Sequence, residues 1–211
     1  VHPNLPQEVG IDLSVFTRDG IERVMRYAFE LALSRPKKQL TLVTKSNAQR
    51  HGMVLWDEIF EKLKQDYPGI RTDRMLVDAI TTRMVLQAQT LDTIVATNLH
   101  DDILSDLAAA LSGSLGIGPT ANINPERAFP SMFEPIHGSA FDLVGKYLAN
   151  PLGAFWSCVM MLEHLQEKEA ASLLMTAIEE VCREGRHLPK DLGGNSSTSE
   201  VTSAVCAALK K

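Results

Sequence analysis

Apolar residues recur along this chain at helical spacing in some stretches and in short compact runs in others. Ile21, Val24, Met25, Ala28, Phe29, Leu31 and Ala32 fall on one helical face, and their spacing predicts a helix over about 20–34. Thr17 or Asp19 stands where its cap belongs, and Arg35-Pro36-Lys37-Lys38 breaks it. Leu40 to Thr44 reads as a compact apolar strand, followed at once by Lys45-Ser46-Asn47. A helix is expected over 52–67, stopped by Pro68-Gly69. Residues 74–77 read as a strand ending at Asp78, 79–87 as a short helix, and 93–96 as a strand ending at Thr97-Asn98. A helix over 102–111 follows, with Ile103, Leu104, Leu107, Ala108 and Leu111 on one face. Ile11 to Thr17, with β-branched or aromatic residues at alternate places, is expected to be a strand as well.

A strand that ends in a polar cluster and opens a helix thus occurs repeatedly. In α/β proteins ligands gather at such carboxyl ends of strands. Gly113 to Thr120 is glycine-rich and 121–127 reads as loop, which marks a domain change. Helices are expected over 154–166, over 167–182 and from Thr198 onward, the last capped by a Ser/Thr run, with a polar loop from Pro189 to Asn195.

The composition is that of a globular protein, with 45% hydrophobic and 22% charged residues among 211. A net charge of −5 supplies no basic field to recruit nucleic acid, which is excluded as a partner. No apolar run approaches the roughly 20 residues of a membrane span, so no membrane partner is expected. Cys158, Cys182 and Cys206 are odd in number and far apart, which points to reduced core thiols and a cytoplasmic location. The chain opens on Val1 and a polar segment with prolines, as a piece of a longer protein would.

The chemistry gathers in the stretch from Met132 to Asn150. Glu134 precedes Pro135 and is biased toward extended backbone. His137-Gly138-Ser139 makes a tight polar turn whose backbone N–H groups suit an anion. Asp142 has the character of an acceptor for a ribose diol; an ordinary surface loop is the plain alternative. Asp102 and Asp106 lie four apart in a helical segment, so their like charges share a face and repel. A hard cation such as Mg²⁺ or Mn²⁺ offsets that repulsion, whereas a solvated acidic helix start needs none. Asp78, at another strand end, is a candidate third oxygen ligand. Lys45 either snorkels from its strand or exchanges protons beside a metal and a carbonyl, and Asn47 stands two residues on. His51, His100, His164 and His187 read as surface or helix residues, and Gly113 to Gly118 lacks the G-x-G-x-x-G pattern.

Thr44-Lys45-Ser46-Asn47, Val77-Asp78-Ala79, Asn98 through Asp106, Gly118-Pro-Thr-Ala-Asn122 and Phe133 through Asp142 together resemble the β-decarboxylating dehydrogenases, which include isopropylmalate, isocitrate and homoisocitrate dehydrogenases. Ser14 through Arg18, Asn124-Pro-Glu-Arg127, Phe155-Trp156 and Met160 through Leu165 are most similar to the tartrate/D-malate dehydrogenase branch. The resemblance implies an α/β, isopropylmalate dehydrogenase-like two-domain fold with mixed sheets flanked by helices, its N-terminal part missing. Residues 1–112 would form the central substrate, metal and dimerisation domain, and 113–211 the C-terminal part of the cofactor-binding domain.

The same resemblance implies NAD- and divalent-metal-dependent oxidation, with β-decarboxylation, of a 2-hydroxy dicarboxylic acid such as tartrate or D-malate. Asp102 and Asp106 would bind Mg²⁺ or Mn²⁺, and Asp78 would complete that site from the other subunit of a homodimer. Lys45 would take the hydroxyl proton, and Asn47 would lie near the nicotinamide. His137, Gly138, Ser139, Ala140, Asp142, Leu143 and Asn150 would hold the adenosine part, and Asp142-Leu143 is the pairing of NAD-preferring members. A role for a monovalent cation such as K⁺ stays open.

Two departures stand out. Phe16 falls where many relatives carry a tyrosine that protonates the enolate, and phenylalanine has no proton to give. The family's substrate-binding arginines belong upstream of Val1. Isopropylmalate or isocitrate oxidation is the alternative activity, and a truncated chain that dimerises and binds nucleotide without turnover is the alternative class.

Overall fold

The structure, a computed structural model, describes residues 1–210. The chain forms two compact units, Val1–Ile103 and Leu104–Lys211.

The first unit is built on βα repeats. Helix α1 spans Arg18–Ser34, and the Thr17 hydroxyl caps it by accepting from the Gly20 N–H at 3.2 Å. Strand β1 is Gln39–Thr44, α2 is Gly52–Leu63, β2 is Arg71–Leu76, α3 is Val77–Gln87 and β3 is Thr93–Val95. Helix α4, Asn98–Leu111, runs across the division between the units. The three strands lie parallel in the order β2-β1-β3. β1 is central and buried at every position, which is why its sequence runs apolar where an edge strand would alternate. Phe29 of α1 stacks on Phe60 of α2 at 5.3 Å and on Tyr67 at 4.7 Å, and Met25, Leu40, Leu42 and Ile59 fill the core around them.

Residues 11–17 form no strand, contrary to the expectation from their alternation. Ile11, Leu13 and Val15 stand exposed, and a strand with no neighbour to pair its backbone is not stable on side-chain pattern alone. The 52–67 helix ends at Leu63, and a single 3₁₀ turn, Lys64–Asp66, completes it.

In the second unit β4, Pro119–Asn122, pairs antiparallel with β5, Met132–Pro135. The sequence pattern reads 121–127 as loop, but Ala121 and Asn122 belong to β4 because they pair with Phe133 and Met132. Helices α5, Leu152–His164, α6, Lys168–Glu184, and α7, Thr198–Ala208, pack around Leu152, Val159, Leu174, Ile178, Val201 and Val205. α6 ends on Gly185 at φ +69°, a left-handed cap. α7 begins with a full capping box: Ser197 accepts from the Glu200 N–H, and the Glu200 carboxylate accepts from the Ser197 N–H.

The thiols are free, as expected, yet they are not core residues. Cys182 and Cys206 are exposed and Cys158 is half-buried, because each lies off the inward stripe of its helix. No helix among the described residues is long and apolar enough to cross a membrane.

Candidate active site and cofactor cavity

Parallel pairing of β1 with β2 brings Thr44 beside Leu76. The residues that follow, Lys45 and Asp78, therefore emerge at the same end of the sheet. The Lys45 ammonium donates to the Asp78 carboxylate, an ion pair with Asp78 well exposed. This hydrogen bond, ahead of the backbone one, holds the Asp78 carboxyl below the usual aspartate range. Asp78 also lies in the first turn of α3, where the helix dipole favours an anion.

The Lys45 carbonyl accepts from the Ala48 and Gln49 N–H groups at 2.9 Å, so Lys45, Ser46 and exposed Asn47 sit on one tight turn. Two ties fix that turn. The Ser46 N–H donates to the Thr44 hydroxyl at 3.3 Å, and the Ser46 hydroxyl donates to Asp57 of α2 at 2.8 Å.

Helix α4 carries Asp102 and Asp106 one turn apart. The Asp101 residue is exposed, yet its carboxyl is pushed up, first by neighbouring groups that strip water from it and then by the Asp102 charge. His100, read from sequence as a surface or helix residue, is buried in the first turn of α4 with its Nδ1 unpartnered. Burial first, and the Lys45 charge second, push its pKa down. Among the described residues no three His, Cys, Asp or Glu side chains gather closely enough to hold a metal ion. Two carboxylates a turn apart on one helix are the kind of partial oxygen donor set that Mg²⁺ and Mn²⁺ accept, with substrate oxygens and water filling the remainder.

The signature stretch lies against the glycine-rich run. β5 pairs Glu134 with Thr120, and the Ile136 N–H donates to the Gly118 carbonyl at 2.9 Å. That contact delivers His137, Gly138, Ala140, Leu143 and Asn150 to the wall of one cavity of about 810 Å³, a size suited to a nucleotide-sized ligand. Ala140 takes φ +41°, a left-handed conformation that costs a non-glycine residue about 1–2 kcal/mol and clusters at functional sites. Ser139 does not line this cavity, nor does Asp142, which sits exposed on the 3₁₀ turn Phe141–Leu143.

Sequence reasoning missed part of the same wall: Ser114, Gly116, Lys190 and Asp191. Asn150 Nδ2 donates to Asp191 Oδ2 at 2.8 Å, and the Ser114 hydroxyl donates to the same oxygen. A Cβ on Gly116 would stand 2.6 Å from that oxygen and 2.8 Å from the Asn150 Cβ, so only glycine fits. The local signal was a Ser-Leu-Gly turn and an Asp-Leu-Gly-Gly loop, 77 residues apart between Ser114 and Asp191 and joined only by folding.

Parallel βα repeats with an ion pair at the strand ends, and a second unit with a cavity large enough for a nucleotide, make this an α/β protein with a candidate nucleotide site. The isocitrate dehydrogenase of Methylococcus capsulatus superposes with a TM-score of 0.90 at 40% identity, over 94% of this chain and 58% of that one. The β-decarboxylating dehydrogenase of Thermococcus kodakarensis gives 0.83 at 32% identity, over 98% of this chain and 59% of that one. The isocitrate/isopropylmalate dehydrogenase family model matches residues 2–205, and the chain belongs to that family. A probable tartrate dehydrogenase/decarboxylase of Agrobacterium vitis is 62% identical over 99% of this chain and 58% of its own length. The decarboxylating D-malate dehydrogenase of Escherichia coli is 47% identical over 98% of this chain and 58% of its own length. The chain thus spans somewhat over half the length of these relatives.

Proposed function

We propose that the protein to which this chain belongs oxidises a 2-hydroxy dicarboxylic acid, tartrate or D-malate, with NAD and Mg²⁺ or Mn²⁺, and releases CO₂ where the product is a β-keto acid. The observation that carries this reading is the cavity that gathers His137, Gly138, Ala140, Leu143 and Asn150, five positions with expected cofactor roles. The names of the relatives select the substrate class.

NAD would supply a hydride acceptor, and a divalent cation held by Asp102 and Asp106 would supply a Lewis acid for the substrate's 2-oxygen. The chain's own groups do the remainder. Asp102 and Asp106 supply carboxylate oxygens from α4. Lys45 is the proton acceptor for the 2-hydroxyl. In the structure its ammonium donates to the Asp78 carboxylate, which holds it at the strand ends. Asn47 stands on the Lys45 turn to meet the nicotinamide. Residues 1–112 carry the substrate, metal and dimerisation part, and 113–211 the cofactor part.

A homodimer, with Lys45 and Asp78 serving the partner's site, is the assembly that the family resemblance implies. The free thiols fit a cytoplasmic location. The test is reduced-nicotinamide absorbance with Mn²⁺ and D-malate, tartrate, isopropylmalate and isocitrate, run on the protein expressed from its complete gene. Turnover of tartrate or D-malate upholds the reading. Turnover of isopropylmalate or isocitrate alone replaces the substrate. No turnover with NAD still binding points to a non-catalytic dimer.

A further inference from the structure

Asn150 is held at both ends of its amide. Its Oδ1 accepts from the Leu152 N–H at 2.9 Å, and its Nδ2 donates to Asp191 Oδ2 at 2.8 Å. A carboxylate only accepts and a backbone N–H only donates, so this pair of partners fixes which end is nitrogen and which is oxygen. One N–H and one carbonyl lone pair remain, in a fixed order, on a residue that lines the cavity. The Asp191 oxygen that holds Asn150 also accepts from the Ser114 hydroxyl, whose oxygen in turn accepts from the Gly116 N–H at 2.9 Å. One carboxylate oxygen thereby ties the Asn150 amide to the Ser114–Gly116 turn on the same wall.

We propose that Asp191 is a positioning residue that locks the polarity of the Asn150 amide, so that this wall of the cavity reads the edge of an adenine base and rejects a base with the opposite donor–acceptor order. The proposal rests on the cofactor reading above. An amide that offers N–H and C=O side by side matches an adenine edge, where a ring nitrogen accepts and the exocyclic amine donates. Hypoxanthine presents the reverse order at the same positions, a ring N–H and a carbonyl. An asparagine held by the Leu152 N–H alone forfeits one hydrogen bond when its amide turns over to suit the other base; an asparagine held by Asp191 as well forfeits two.

The experiment is calorimetric titration of the protein expressed from its complete gene with NAD and with nicotinamide hypoxanthine dinucleotide. The unmodified protein binds NAD about ten-fold tighter or better, as a good bidentate contact allows. Asp191→Ala, and Asp191→Leu as a bulkier variant that fills the vacated space, reduce the preference for NAD several-fold, as the loss of one of the two hydrogen bonds that hold the amide allows, while Asp191→Asn keeps the preference because it still offers an oxygen acceptor. Ser114→Ala leaves Asn150 held and keeps the preference too. A purely structural Asp191 would weaken both dinucleotides in proportion and leave their ratio unchanged. A ratio preserved in whichever of Asp191→Ala and Asp191→Leu folds, judged by thermal unfolding, overturns the proposal. Failure of the unmodified protein to bind NAD sinks the cofactor reading and this inference with it. That failure is told apart because it precedes any substitution.

Discussion

The Ser46 hydroxyl donates to Asp57 Oδ2 at 2.8 Å, and Arg74 Nη1 donates to that same oxygen at 3.0 Å. Helix α2 and strand β2 thus hold the turn that carries Lys45 and Asn47. The other Asp57 oxygen is buried without a partner, so the carboxylate is kept in place at some cost in solvation.

Removing Asp57 frees the turn. Asp57→Ala is expected to destabilise the fold by about 1–3 kcal/mol, the range for a hydrogen bond to a charged group. Turnover should fall by about ten-fold or more, as misplaced catalytic groups cost. Urea unfolding and steady-state kinetics check both. Arg74→Ala, which leaves Ser46 bonded, should cost turnover less. Equal effects of the two substitutions would show that Asp57 acts only through Arg74.

Asp102→Asn removes one of two carboxylates from the α4 face. Calorimetry with Mn²⁺ should show affinity reduced by about ten-fold or more, and metal-dependent turnover should vanish. The circular dichroism spectrum should not change. Undiminished Mn²⁺ affinity would end the metal assignment.

Asp142→Ala should weaken NAD binding and strengthen NADP binding, since a carboxylate accepts from a ribose diol and repels a 2′-phosphate. The ratio of the two affinities is the readout. An unchanged ratio means that exposed Asp142 does not meet the ribose.

Gly153 of α5 packs against the glycine-rich turn. A Cβ there would lie 2.8 Å from the Gly116 carbonyl oxygen and 3.4 Å from that of Gly118. Both neighbours are backbone and yield poorly. Gly153→Ala should therefore cost about 1–3 kcal/mol by overpacking and loosen NAD binding by shifting the cavity edge. Thermal unfolding with and without NAD would reveal either effect, and a neutral result would mean that the α5 start slides freely.

The capping box of α7 sets a pH dependence. The Ser197 backbone N–H, and then its hydroxyl, hold the Glu200 carboxyl below its ordinary value of 4.5. A depressed acid contributes stability that is fully present above that ordinary value and is lost as pH falls through the lower folded one. Acidification below about pH 4.5 should fray the start of α7 before neutral conditions do. Carboxyl NMR titration of Glu200 measures the shift, and Ser197→Ala should return it toward the ordinary value. An unshifted Glu200 in the unmodified protein would mean that the box does not persist in solution.

Much of the fold was legible because local pattern and local chemistry agree. The α1 stripe, the continuous apolar run of β1, Thr17 as a cap and Ser197 with Glu200 are each short-range signals that survive into the structure. The places of Lys45 just after β1 and of Asp78 just after β2 were likewise legible, since 40–44 and 74–77 both read as short strands. Pattern failed where a partner was needed. Ile11–Thr17 alternates like a strand and forms none, while β4 and β5 had no alternation and form a pair because Thr120 and Glu134 meet.

The sequence by itself determined which residue types were available: carboxylates a turn apart on α4, a lysine at a strand end, and a His-Gly-Ser turn beside Asp142 and Asn150. Their helical and turn spacings are properties of nearby positions, so they can be read without the fold. Only the tertiary structure decided that Asp57 steadies the Lys45 turn and that one oxygen of Asp191 joins Ser114 to Asn150. It also set Asp142 apart from the wall that its neighbours His137 and Leu143 line. Hydrogen bonds between positions 41 or 77 apart leave no periodicity in the chain, because the geometry that makes them exists only once the packed elements have brought their ends together.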